Sequence, residues 1–216
     1  MKGAVRLFLL VVLTAGLLQV APAQTPPSLT PFSGDMHWKR TDGNSETAKI
    51  YVGHERMRIE MPETGGPRGG GAMITNYATK TSYFLMPEQH MYMEVKADQA
   101  SMMARRGGAP NIKPLFDPNN PCAGAKDGTT CKDLGTAEVN GRTCEHWRIT
   151  GTDGKSGEVW IDKSLHFPIK GITPDETYEL TNINVGEPSA SLFEIPPGYR
   201  KFDMSQMMQG MHPPQE

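Results

Sequence analysis

The residues best able to do chemistry in this sequence are six histidines, three cysteines and a methionine-rich end. His37, His54, His90, His146, His166 and His212 are dispersed without the spacing of a metal site, and neither a His-Glu-x-x-His nor a Gly-x-Ser-x-Gly motif occurs. Glu158 and Asp162 share a strand face, where outward polar positions explain them without acid–base catalysis. The expectation is a protein that is not an enzyme and needs no cofactor. Met204, Met207, Met208 and Met211 stand at M-x-x-M spacing beside His212, a set of thioethers and imidazole that suits Cu(I). No second ligand cluster completes that set, so Met207, Met208, Met211 and His212 are only weak metal candidates, with a low-complexity end as the alternative. Arg68 within Gly65–Gly71, and Arg105-Arg106-Gly107-Gly108, lack the Gly-Lys-Ser/Thr of a phosphate-binding loop and read as solvated turns.

Cysteine chemistry depends on the compartment. Lys2 and Arg6 precede the apolar run Leu7 to Leu18 and the small residues Ala21-Pro22-Ala23, the order of a cleavable secretory signal over residues 1–23. The run is shorter than the roughly 20 residues that span a bilayer, although an uncleaved anchor is the alternative. The expected destination is the periplasm, or onward to the extracellular space. There an oxidising milieu favours disulfides, and Cys122 with Cys131 is preferred over the two pairings that use Cys144. Closing that loop of about ten residues stabilises by roughly 2 to 3 kcal/mol.

The elements that carry these residues are short runs of period two bounded by Gly, Pro, Asn or Asp. Residues 24–31 are a Pro-rich lead-in, and 32–203 form a single domain, with a Met-rich tail at 204–216. Strands are expected at Phe32 to Arg40, Glu46 to Val52, Arg56 to Met61, Ala72 to Tyr77, Thr81 to Met86 and Gln89 to Val95. A short helix is expected at about 96–106, where Arg105 and Arg106 suit a helix C-terminus, and a long loop at about 107–131. A second meander starts at Lys132 to Asn140 and runs through Glu-Val-Trp-Ile-Asp and Phe-Pro-Ile-Lys-Gly-Ile to the strand-like run Leu192 to Tyr199. Between Tyr178 and Val185 the apolar residues move from even to odd positions, which marks a bulge or a strand end.

About ten antiparallel strands cannot stay flat, because each twists by roughly 20° against its neighbour. The fold class is therefore mainly β with one short helix: a strongly curved antiparallel sheet, an unclosed barrel. Its concave side is assigned Met36, Trp38, Ile50, Met57, Ile59, Met91, Met93, Trp147 and Val159. These serve either as an ordinary core or as an adaptable lining for an apolar ligand. A net charge of −2 offers nucleic acid no basic surface, and the partner and oligomeric state are left open.

Several phrases carry a resemblance: Asn119-Asn120-Pro121-Cys122, Cys131 before Lys132-Asp133-Leu134-Gly135, Val139-Asn140-Gly141-Arg142, Val159-Trp160-Ile161-Asp162 and Leu192-Phe193-Glu194-Ile195-Pro196-Pro197-Gly198-Tyr199. They resemble an exported bacterial family of unknown function that is similar to the outer-membrane lipoprotein carrier (LolA/LolB-like) fold, an unclosed β-barrel around a short helical lid. The resemblance implies an apolar cargo, a lipid or lipoprotein acyl chain. No carrier residue transfers by position.

Overall fold

The computed structural model describes residues 29–62, 70–96 and 128–202. The first half contributes β1 (Phe32–Arg40), β2 (Ser45–Val52), β3 (Arg56–Met61), β4 (Gly71–Asn76), β5 (Thr81–Met86) and β6 (Met91–Lys96). The second contributes β7 (Thr130–Val139), β8 (Arg142–Thr150), β9 (Ser156–Asp162), β10 (Phe167–Ile172), β11 (Glu176–Val185) and the two-residue β12 (Arg200–Lys201). All twelve lie in one sheet, in the order β12-β6-β5-β4-β3-β2-β1-β11-β10-β9-β8-β7. Each half is a meander of sequence neighbours, and the two join where β1 pairs antiparallel with β11. The edge strands β7 and β12 do not pair with each other, so the barrel is unclosed, as the sequence leads one to expect.

Turn chemistry sets the registers. Gly43 takes φ +90° between β1 and β2 while Asp42 Oδ1 accepts from Asn44 N at 2.9 Å. Asn140 and Gly141, both at positive φ, close the β7–β8 hairpin. The parity shift in β11 is a bulge: one extra residue of β11 sits opposite Gly34, and Asn182 there has φ 51°.

The structure departs from the sequence reading in five places. β6 starts at Met91 because Pro87–Gln89 form a 3-10 turn that His90 ends in the left-handed region. β7 starts at Thr130, so Thr130 and Cys131 are strand and not loop. The run at Leu192 to Tyr199 is not a strand: a 3-10 turn over Ala190–Phe193 leads into Pro196 and Pro197, which lack the N–H a ladder needs. Leu29, from the lead-in, is buried in the core, and Thr30 Oγ1 donates to Ser164 O. Asp162, expected to face outward, is only 1% exposed. The expected helix falls almost wholly at 97–106, outside the described residues.

Two apolar clusters hold the sheet. The larger gathers Leu29, Phe32, Met36, Ile50, Val52, Met57, Phe167, Ile169 and Leu180, with Phe32 and Phe167 edge to face at 5.1 Å. Full burial of each such side chain contributes about 1.5 to 3 kcal/mol. The smaller lies where residues 187–199 cross the first meander: Phe193 packs with Ile74 and Leu85, flanked by Tyr51, Tyr83, Tyr92, Ile195 and Tyr199. Arg58 Nη1 donates to Leu192 O at 2.9 Å and ties the crossing down. One face of the first meander is thereby covered, which leaves the other as the place to look for a site.

Candidate functional site

Register alone fixes which residues share that other face. Facing residues of paired strands lie on the same side, and alternate residues of one strand do too. Starting from Met36 and Trp38 in β1, the pairs Gly34–Ile50 and Phe32–Val52 carry the face to β2, and Ile50–Ile59 and Val52–Met57 carry it to β3. Ile59–Met73, Met73–Phe84 and Phe84–Met93 take it to β6, where Met86 faces Met91. In the other direction Trp38–Tyr178, Tyr178–Gly171, Gly171–Val159 and Val159–Trp147 take it to β8. Met36, Trp38, Ile50, Met57, Ile59, Met91, Met93, Trp147 and Val159 therefore stand on one face. Met36, Ile50, Met57 and Val159 are buried, whereas Trp38, Ile59, Met91, Met93 and Trp147 are half-buried.

The composition of this face is distinctive. Met36, Met57, Met61, Met73, Met86, Met91 and Met93 all belong to it, half of the 14 methionines in the chain. Unbranched thioethers re-pack at little cost, so such a surface can fit chains of varied shape. Polar atoms on it are few. Tyr77 donates its hydroxyl to Met57 Sδ at 3.6 Å, and burial pushes its ionisation well above the usual phenol range. Trp147 Nε1 is buried and meets no acceptor among the described residues.

Sequence reasoning missed Tyr178 and Gly171 as members of this face. A Cβ at Gly171 would collide with Tyr178 Cε1, so the phenol ring lies on the glycine. A lone glycine inside a strand run, Lys170-Gly171-Ile172, is the signal that marks such a close approach.

The opposite face of the second meander is polar. Trp160 stacks on the His146 ring at 4.2 Å and has Lys170 Nζ 5.4 Å from its centroid. Glu158 accepts from Arg148 Nη2 at 2.7 Å and from His146 Nε2 at 2.8 Å. The Arg148 hydrogen bond, then that of His146, holds its carboxyl below the usual range. At the edge formed by β1, β10 and β11 a groove of about 350 Å³ is lined by His37, Lys39, Lys170, Ile172, Thr177, Tyr178 and Glu179. His37 in its lining has its two ring nitrogens each 2.9 Å from a hydroxyl, one of Thr47 and one of Thr181. These groups satisfy one another and hold a single arrangement.

Buried Asp162 accepts from the backbone N–H of Ser164 and Leu165, from Ser164 Oγ and from Arg142 Nε. It fastens the β9–β10 turn. Cys144 is a free, buried thiol whose Sγ–H donates to Arg142 O at 3.5 Å, and burial, then the nearby Asp162 charge, pushes it up to about 11. Cys131 has a partner, while Cys122 lies outside the described residues, as do Met207, Met208, Met211 and His212. Among the described residues no group of three or more His, Cys, Asp or Glu could hold a metal, and no helix is long and apolar enough to cross a membrane.

No family model matches the chain, and no curated protein matches it. Solved structures do. An uncharacterised conserved protein from Thermus thermophilus superposes with a TM-score of 0.52 at 11% identity, over 80% of this chain and 90% of that one. MucB, in its complex with MucA from Pseudomonas aeruginosa, superposes with a TM-score of 0.52 at 18% identity over 78% of this chain. The chain spans only 56% of the length of that structure. A LolA superfamily protein from Nitrosomonas europaea aligns over 79% of this chain and 92% of its own at 11% identity, with a TM-score of 0.30. At these identities the likeness is one of fold alone: a large, unclosed antiparallel sheet.

Proposed function

We propose that this protein is an exported, non-enzymatic binding module that shelters an apolar ligand, a lipid or lipoprotein acyl chain, against the methionine- and tryptophan-rich face of its sheet. One observation carries the reading: strand register gathers nine apolar candidates and seven methionines on a single side, five of the nine only half-buried. An unclosed barrel whose apolar side is not wholly buried in its own core is suited to a guest.

Two measurements test it. Native mass spectrometry of gently extracted protein is expected to recover a co-purifying apolar molecule. N-terminal sequencing of the cell-envelope fraction is expected to begin at Gln24. Repeated recovery of bare protein that also fails to bind N-phenyl-1-naphthylamine would reject the binding role, and a mature chain that retains Met1 in the cytoplasm would reject export.

A second reading, an envelope structural or interaction protein with a filled core, is favoured by the burial of Met36, Ile50, Met57 and Val159. The match to MucB, a protein solved in complex with MucA, points the same way. Cross-linking in cells with and without residues 204–216 distinguishes it: a partner captured by the full chain alone supports this reading.

A further inference from the structure

Across β3 to β6 the methionine face opens to solvent from one end of the strands to the other. At the closed end the rung Met57–Thr75–Ser82–Val95 is buried throughout, with Met57 8% exposed. The next rung, Ile59–Met73–Phe84–Met93, is half-buried. At the open end Met61 closes β3 opposite Gly71, and Met86 faces Met91 where β5 turns into β6. Met61 is 44% exposed, and Met86 and Met91 are half-buried. Gly71 adds no side chain to this rung, and a Cβ there would collide with Leu85 O. The open end is thus lined by three thioethers.

Thioethers are readily oxidised where an oxidant can reach them, so this gradient of access sets an order of reaction. Met36 and Met57 are buried, and the Tyr77 hydroxyl donates to Met57 Sδ at 3.6 Å, which engages the lone pair an oxidant would attack. Oxidation turns a flexible apolar side chain into a polar one. The hydroxyls nearest on this face, Thr75 and Ser82, already bond each other at 3.1 Å. A sulfoxide at the open end therefore keeps its water and resists being covered by hydrocarbon.

We propose that Met61, Met86 and Met91 are an oxidation site, at which a hydroperoxide converts thioether to sulfoxide and makes the face release its apolar ligand. The inference rests on the binding-module reading and adds a control to it. The sulfur lone pair attacks one peroxide oxygen, an S–O bond forms and the O–O bond breaks. The departing oxygen takes the proton and leaves as water or alcohol; sulfur loses two electrons and the peroxide gains them. The fold survives, because the other side of β4 and β5 is held by Phe193 against Ile74 and Leu85.

The experiment treats the purified full chain with hydrogen peroxide and follows each methionine by peptide mass spectrometry, with N-phenyl-1-naphthylamine as the reporter of binding. Sulfoxide is expected at Met61, Met86 and Met91 before Met36 and Met57. Reporter affinity is expected to fall about tenfold with far-ultraviolet circular dichroism unchanged, and to return after treatment with methionine sulfoxide reductases A and B. In Met61→Leu, Met86→Leu and Met91→Leu combined, compared with its own untreated form, the ratio of affinities before and after peroxide falls to about one. That variant keeps Met204, Met207, Met208 and Met211, so a loss that persists in it would place the effect elsewhere and overturn the inference. Equal oxidation of Met36 and Met57, or unchanged reporter affinity in the oxidised natural chain, would also overturn it and leave the binding module standing. Failure of the reporter to bind the untreated protein removes both.

Discussion

Asp162 shows how one residue can escape a sequence reading and still explain itself. Its position on the polar side of β9 suggested solvent, but the turn at Lys163 to His166 folds back over it, and Asp-x-Ser spacing is the trace that such a turn leaves in sequence. Burial alone would raise its carboxyl; the hydrogen bonds from Arg142, Ser164 and Leu165 outweigh that and hold it below its ordinary 3.8. A depressed folded value contributes stability that is fully present above the unfolded value and is lost as pH falls through the folded one. Asp162→Asn is therefore expected to cost about 3 kcal/mol at pH 7 and to flatten the acid limb of stability below about pH 4, measured by urea midpoints across pH. A wild-type acid limb unchanged in the variant would contradict this role. Cys144 offers a second check. Its buried, high-pKa thiol is expected to ignore Ellman's reagent in the folded protein and to give one titratable thiol per chain in denaturant without reductant, which a Cys122–Cys131 bridge requires. A count of three would exclude the bridge.

Among the elements, strand faces were legible and strand partners were not. Period two reports directly which side a residue takes, so the lining candidates from Met36 to Val159 fall on one side, and the parity shift after Leu180 marks the bulge at Asn182. Nothing local announces that Phe32 faces Val185, because that pairing joins strands more than a hundred residues apart and is decided by how the two meanders meet. The run Leu192 to Tyr199 misled for a related reason. Its apolar residues are spaced like a strand, yet Pro196 and Pro197 withhold donors, and its work is to strap the outer side of β2 to β6. Phe193→Ala is expected to cost about 3 to 4 kcal/mol and to speed hydrogen exchange in β4 and β5 ahead of β9 and β10. Uniform exchange across both halves would show that the strap does not act locally.

At the scale of the molecule, β1 and β11 make the sheet continuous, so neither meander ends in a free internal edge. Unfolding is expected to be one transition, coincident by far-ultraviolet circular dichroism and by tryptophan fluorescence, since Trp38, Trp147 and Trp160 sample both halves. Separate midpoints would divide the chain at that seam. β12 is set apart by direction, because it runs parallel to β6, with Phe202 N donating to Tyr92 O at 2.7 Å. Strands so aligned run toward the same end of the sheet, so Arg200 and Lys201 extend the sheet edge beside Met91 and Tyr92 in the direction β6 already takes.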